Sequence, residues 1–127
     1  MATVRDYECK VLESSKELSA RERIKAKDTT EAMKIDDLTK IEPLVIEVES
    51  WVVLSVHNGS LERPDYNQYV LEDKAGNRYV TGSETFWSSY IDIYREMENE
   101  NEPYQVKIYK VPSKNYNGKD FITCSIV

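Results

Sequence analysis

Cysteine, histidine and glycine are scarce in this sequence of 127 residues, and each shortage excludes a class of site. Cys9 and Cys124 lack zinc-site spacing, so we expect two free thiols in a reducing compartment. One histidine, His57, offers no constellation for acid–base catalysis and is interpreted as a residue beside a turn. Four glycines form neither a phosphate-binding loop nor a nucleophile elbow. We therefore expect no enzyme, small-molecule substrate, metal site or cofactor.

Long apolar segments are also missing. No run of about 18 apolar residues occurs, which argues against a transmembrane helix. The first six residues turn polar at once and lack the apolar core of a signal peptide. These features predict a cytoplasmic protein without a membrane partner. A content of 40% hydrophobic and 31% charged residues is typical of one soluble globular domain.

Charge is distributed unevenly along the chain, whose net charge is −6. Residues 1–40 hold nine basic and nine acidic side chains, and residues 41–102 hold four basic and thirteen acidic ones. Residues 103–127 hold four basic side chains and one acidic side chain. The last part of the chain is thus a basic region on an acidic body, and such asymmetry indicates partners better than the total does.

Alternating apolar residues predict β-strands from residue 44 onward. Between 44 and 56 every even position except Ser50 is apolar, which predicts one long strand, bent near Ser50, with its even face in the core. A turn at 73–77 predicts a hairpin. The other predicted strands cover residues 68–72, 78–81, 104–111 and 120–127.

One amphipathic helix is predicted over residues 84–98. Ser83 is a suitable N-cap, and apolar side chains follow at helical spacing. Phe86, Tyr90, Ile93 and Met97 form that stripe and should cover one end of the sheet. The strands should bury Val52, Leu54, Val56, Val106, Ile108, Ile122, Cys124 and Ile126.

The order of elements predicts a mainly β fold with one helix. Five strands with a helix between the third and fourth are the layout of an OB-like barrel, and an ordinary antiparallel sheet is the alternative. We assign residues 41–127 to this domain. Residues 1–40 form an N-terminal extension of unclear structure, with a short strand over 7–12, a helix or strand within 14–27, and a helical turn near 30–38. This extension could be an arm, a subunit contact or two added strands.

Aromatic and basic residues near the C-terminus suggest a nucleic-acid site. Alternation places Lys107, Tyr109 and Phe121 outward on neighbouring strands, where stacking surfaces lie beside a cation. In the alternative interpretation, Tyr109 and Phe121 are a cross-strand pair that only stabilises the hairpin. Further candidates are Lys110, Lys114, Tyr116 and Lys119 from the connecting loop, and, as weaker ones on outward faces, Trp51 and Tyr79.

Three segments within residues 68–127 resemble small single-stranded-DNA-binding proteins of phages with protein-primed replication and of related mobile elements. They are residues 73–83 (DKAGNRYVTGS), 104–108 (YQVKI) and 113–121 (SKNYNGKDF). The resemblance implies an OB-like domain in the bacterial host cytoplasm that coats single-stranded DNA during replication, whatever its sequence. It implies contacts from Lys107, Tyr109, Lys114, Tyr116, Lys119 and Phe121. Residues 115–117 depart from the pattern as an insertion, and residues 1–40 have no counterpart.

Two functions therefore fit the sequence. The first is single-stranded DNA binding by aromatic stacking and phosphate neutralisation. The alternative is an acidic protein-interaction module that binds or inhibits a host protein through a tyrosine-rich face. The sequence leaves open whether DNA or RNA is preferred, and whether the protein is a monomer or a homo-oligomer.

Overall fold

The computed structural model describes residues 6–112 and 120–127 of the chain. None of the helices in these two ranges is long and apolar enough to cross a membrane. The elements are β1 (Tyr7–Ser14), α1 (Ala20–Lys27), β2 (Met33–Lys34), α2 (Ile35–Leu38), β3 (Leu44–Ile46), β4 (Val48–Asn58), β5 (Asp65–Asp73), β6 (Arg78–Thr81), α3 (Glu84–Met97), β7 (Val106–Pro112) and β8 (Asp120–Ile126).

The strands form two sheets, and the fold is mainly β. A five-stranded sheet has the order β1-β4-β5-β6-β2, and a three-stranded sheet has the order β3-β7-β8. The predicted strands after residue 44 and the helix before β7 are all present in the predicted order. The predicted barrel is not: in the described part of the chain β1 and β2 are the two edges of the larger sheet and do not pair with each other.

The long strand predicted over 44–56 is divided, which explains why the sheets separate. The break falls at Glu47, and the bend predicted near Ser50 coincides with a register shift between Val48 and Ser50 in the pairing of β4 with β5. Strand β3 pairs with β7, while β4 pairs with β1 and β5. The carbonyl of Glu47 accepts a hydrogen bond from the backbone N–H of Lys74, at 3.1 Å. The chain thus leaves one sheet and enters the other within one residue.

Strand β4 is buried on both faces. Val52, Leu54 and Val56 pack in a cluster that includes Ala26 of α1. Trp51 and Val53 pack in a second cluster with residues of α3. The even-numbered face is buried from Ser50 to Val56, as predicted, and the odd-numbered face is also buried at Trp51 and Val53.

The N-terminal segment covers the even face of β4. β1 runs antiparallel to β4, and β2 pairs in parallel with β6. Helix α1 begins with a capping box, in which Ser19 accepts from the N–H of Glu22 and the Glu22 carboxylate accepts from the N–H of Ser19. Arg78 of β6 donates to the carbonyls of Ala26 and Asp28, which holds the end of α1 against the sheet. Residues 6–40 are thus part of the same sheet and core.

Helix α3 covers the odd face and agrees with the helix predicted from the sequence. The Ser83 hydroxyl accepts from the N–H of Phe86 at 3.2 Å, which confirms it as the N-cap. Phe86 and Tyr90 are buried, whereas Ile93 and Met97 are half-buried. Of the eight strand residues predicted to be buried, seven are, and Ile126 is wrong: it is 48% exposed at the end of an edge strand.

His57 connects Asp6, just before β1, to Asp65 at the start of β5. Its Nδ1 lies 2.6 Å from Asp65 Oδ1, and its Nε2 lies 2.9 Å from Asp6 Oδ1. The hydrogen bond to Asp65, as the larger cause, and the one to Asp6 raise the pKa of His57 above its ordinary value. The backbone N–H of Gly59 also donates to the carbonyl of Asp6 at 2.7 Å. The protonated imidazole therefore bridges two carboxylates from distant parts of the chain.

This bridge predicts a pH-dependent stability. A histidine with a raised folded-state pKa stabilises the fold fully below its unfolded pKa of about 6.5, and that contribution is lost as pH rises through the folded value. We expect the difference in free energy of unfolding between the wild type and His57→Gln, measured by urea titration, to decrease as pH rises above about 6.5. A difference that stays constant over this range would show that the bridge does not stabilise the protein.

Candidate nucleic-acid interface

The outward surface of the three-stranded sheet carries the predicted site. In the pairing of β7 with β8, Lys107 lies opposite Ser125, Tyr109 opposite Thr123, and Val111 opposite Phe121. The alternate residues, such as Ile108 and Ile122, are buried against the core. We call this surface the outer face; it consists of Val45, Lys107, Tyr109, Val111, Phe121, Thr123 and Ser125.

Tyr109 is held in place on the outer face. Its hydroxyl lies 2.8 Å from the Ser125 hydroxyl on the neighbouring strand, and its ring is half-buried. The Lys107 Nζ lies 5.8 Å from the centre of the same ring, within cation–π range. The ring of Tyr109 therefore has a cation over it before any ligand binds.

Phe121 shares the outer face but is not directly opposite Tyr109. Thr123 is the partner of Tyr109, and Val111 is the partner of Phe121, so the two rings belong to diagonal positions of the hairpin. Such positions have Cα atoms about 7–8 Å apart, within reach of aromatic side chains. The described geometry thus offers two aromatic side chains on one surface, and both are half-buried.

Lys110 does not join this surface. It lies within β7 and not in the loop, opposite Ile122, on the face away from Lys107 and Tyr109. The prediction that it belongs to the loop beside the site is therefore wrong, because β7 continues to Pro112. Lys114, Tyr116 and Lys119 lie in residues 113–119, outside the described residues.

The prediction that Trp51 and Tyr79, the weaker candidates, face outward is wrong. Each is only 4% exposed and belongs to the core beneath α3, so neither faces outward. Trp51 packs edge-on against the ring of Trp87, at 5.1 Å between centroids. The Tyr79 hydroxyl donates to Asp73 at 2.7 Å. Burial, as the larger cause, and the Asp73 carboxylate, as the smaller one, raise the pKa of Tyr79 to about 12. Both side chains have a structural role because α3 covers the face that alternation had assigned to solvent.

Hydroxyl groups along the outer face were missed by the sequence reasoning. Thr123 and Ser125 alternate on β8, and the Ser89 hydroxyl of α3 lies 2.9 Å from that of Thr123. Thr85 of α3 donates to the carbonyl of Ile122 at 3.0 Å, so the helix lies along the edge of β8. Serine and threonine hydroxyls are common phosphate contacts. The alternation of Thr123 and Ser125 was visible in the sequence, whereas the position of Ser89 depends on how the helix packs.

The electrostatics of the outer face differ from those of the acidic body. Among its seven described side chains, Lys107 is the only charged one. Across residues 6–112 and 120–127, no group of three or more histidine, cysteine, aspartate or glutamate side chains is arranged to hold a metal ion. The arrangement offers stacking, hydrogen bonding and one cation, which are means of binding.

Comparison with known proteins adds no assignment. The chain matches no protein-family model, and neither curated proteins nor solved structures give a significant match.

Proposed function

We propose that the protein binds single-stranded DNA, whatever its sequence, through the outer face. Bases would stack on Tyr109 and Phe121, while Lys107 and neighbouring hydroxyls contact phosphates. The observation that supports this most is that Lys107, Tyr109 and Phe121 share one outward surface. The resemblance of residues 68–127 to phage and mobile-element DNA-binding proteins agrees with it, and in that setting the protein would coat single strands during replication.

The acidic body does not oppose such binding at physiological salt. Charges separated by more than about 8 Å in solvent are largely screened there. Residues 103–127 carry four basic side chains and one acidic side chain, so β7 and β8, which hold six of the seven outer-face residues, lie in the basic part of the chain. At very low salt this screening is weak, and the acidic body would then repel DNA most strongly. Binding is therefore best measured near physiological ionic strength.

The alternative of a protein-interaction module needs a tyrosine-rich surface. Tyr69, Tyr79 and Tyr90 are buried, and within the described ranges Tyr7 is the only tyrosine that is largely exposed. Of the remaining described tyrosines, which are all half-buried, Tyr94 and Tyr104 line one cleft, whereas Tyr66 and Tyr109 lie elsewhere. The geometry therefore supports DNA binding more than this alternative, which stays a prediction.

Lysine substitutions test the phosphate contact. Removing one phosphate contact lowers the slope of log K against log salt concentration by about 0.7 for single strands. Lys107→Ala should therefore weaken binding of labelled oligothymidylate, measured by fluorescence anisotropy across salt concentrations, and should flatten this slope. Lys110→Ala is the matched control, because Lys110 lies on the opposite face of the same strand. Equal effects of the two substitutions would contradict a specific role for the outer face.

Substitution of Tyr109 tests stacking. Loss of an aromatic platform typically costs about 1–3 kcal/mol per base, so Tyr109→Ala should weaken oligothymidylate binding by about five- to a hundredfold. Tyr109→Phe keeps the ring and loses only the hydrogen bond to Ser125, so its affinity should stay close to that of the wild type.

Melting temperatures of both variants separate this result from a purely structural role. If Tyr109→Ala lowers the melting temperature but binds oligothymidylate as tightly as the wild type, Tyr109 does not belong to the site. Intrinsic tryptophan fluorescence is a poor reporter here, because Trp51 is buried and Trp87 stacks on Tyr69, at 4.8 Å between ring centroids.

A further inference from the structure

Strand β1 forms one edge of the five-stranded sheet, and no other strand in the described residues pairs with its open side. The other sheet edges are short or covered. β2 has two residues and β3 has three, whereas α3 lies along β8 through the bond from Thr85 to the carbonyl of Ile122. An uncovered edge strand of eight residues is a template for pairing with another strand.

A hydrogen bond at the start of β1 shows which of its backbone groups point away from the sheet. The carbonyl of Asp6 accepts from the N–H of Gly59 at 2.7 Å, so the backbone groups of Asp6 point toward β4. In an antiparallel pair this direction alternates from residue to residue. The N–H and C=O groups of Tyr7, Cys9 and Val11 therefore point to the open side, and the register shift after Val11 ends the regular alternation.

These open backbone groups are self-complementary in one antiparallel register. When two copies of β1 meet with Cys9 opposite Cys9, Tyr7 of each copy lies opposite Val11 of the other. Every open N–H and C=O group between residues 7 and 11 then belongs to a hydrogen-bonded pair. The two-fold axis passes between the two copies of Cys9, so both chains use the same surface, as a closed dimer requires.

The exposed charges of β1 favour the same register. Glu8 and Lys10 share the other face of the strand, and the Lys10 Nζ lies 3.0 Å from the Glu8 Oε1. In the register centred on Cys9, Glu8 of each copy lies opposite Lys10 of the other, in a non-hydrogen-bonded pair, where side chains are closest. A shift by two residues would place Glu8 opposite Glu8 or Lys10 opposite Lys10, and like charges directly opposite are destabilising.

From these features we infer that the protein forms a two-fold symmetric dimer in which the β1 strands of two identical chains pair antiparallel, centred on Cys9. The five-stranded sheets of the two copies would join into one continuous sheet. Because the pairing covers only residues 7–11, the interface is small and belongs to the class of weak contacts. It lies on the larger sheet, apart from the outer face on the smaller one, and does not depend on DNA binding.

Sedimentation velocity of the full chain at increasing concentration tests the dimer. A Kd between about 1 μM and 1 mM is expected for a contact of this size. In nitrogen–proton correlation spectra, the amide signals of Tyr7, Cys9 and Val11 should move with the same concentration dependence, whereas those of β3 should not. A protein that stays monomeric at about 1 mM, as an edge reserved for a strand of a different protein would, overturns the inference. A dimer whose shifts lie away from β1 overturns it as well.

Charge reversal tests the register without changing the core, because both side chains are exposed. Glu8→Lys and Lys10→Glu each place like charges opposite one another at both charged positions, so each variant alone should raise the Kd of the dimer by about ten- to a hundredfold. An equimolar mixture of the two variants restores opposite charges at both positions and should form a mixed dimer about as tightly as the wild type. A folding defect cannot produce this rescue. Failure of the mixture to associate overturns the proposed register.

Glu42→Lys is the matched control for Glu8→Lys. Glu42 is exposed in the segment between α2 and β3, outside β1, and its substitution changes the net charge by the same amount. Both substitutions make the acidic chain less negative, which by itself favours association. Weaker dimerisation of Glu8→Lys alone therefore supports a specific contact at β1, and equal effects of the two substitutions overturn it.

Discussion

Burial of both faces of β4 is the constraint on which the rest of the structure depends. The run from Trp51 to Leu54 is apolar without interruption, so each face of the strand needs a cover. The N-terminal segment supplies one cover through α1, and α3 supplies the other. The result is a sheet between two layers, and residues 6–40 provide one of these layers.

The same constraint determines which aromatic side chains are free to bind a ligand. Trp51, Tyr69, Phe86 and Tyr90 are used in the core beneath α3. The three-stranded sheet packs its even-numbered residues against this core, which leaves its odd-numbered residues on the surface. Tyr109 and Phe121 occupy odd-numbered positions of this sheet and therefore lie on the outer face, whereas the other rings fill the interior.

Sequence periodicity predicted the local elements well, but it did not predict which strand faces other elements cover. Strands β5 to β8, helix α3 with its Ser83 cap, and the shared face of Lys107, Tyr109 and Phe121 follow from short-range spacing. The burial of Trp51 and Tyr79 depends on where α3 lies, which no local pattern contains, although the uninterrupted apolar run around Trp51 is typical of a strand covered on both faces. The prediction of a closed barrel was wrong for a similar reason. Whether β3 stays with β4 or pairs with β7 is decided by contacts between distant residues.

The most direct test of the central claim is a map of backbone and side-chain resonances during titration with oligothymidylate near physiological salt. The outer-face account predicts that the largest shifts occur at Lys107, Tyr109, Phe121, Thr123 and Ser125, with little change along α1. Shifts concentrated on the α1 side of the large sheet, or no saturable shift at all, would contradict it.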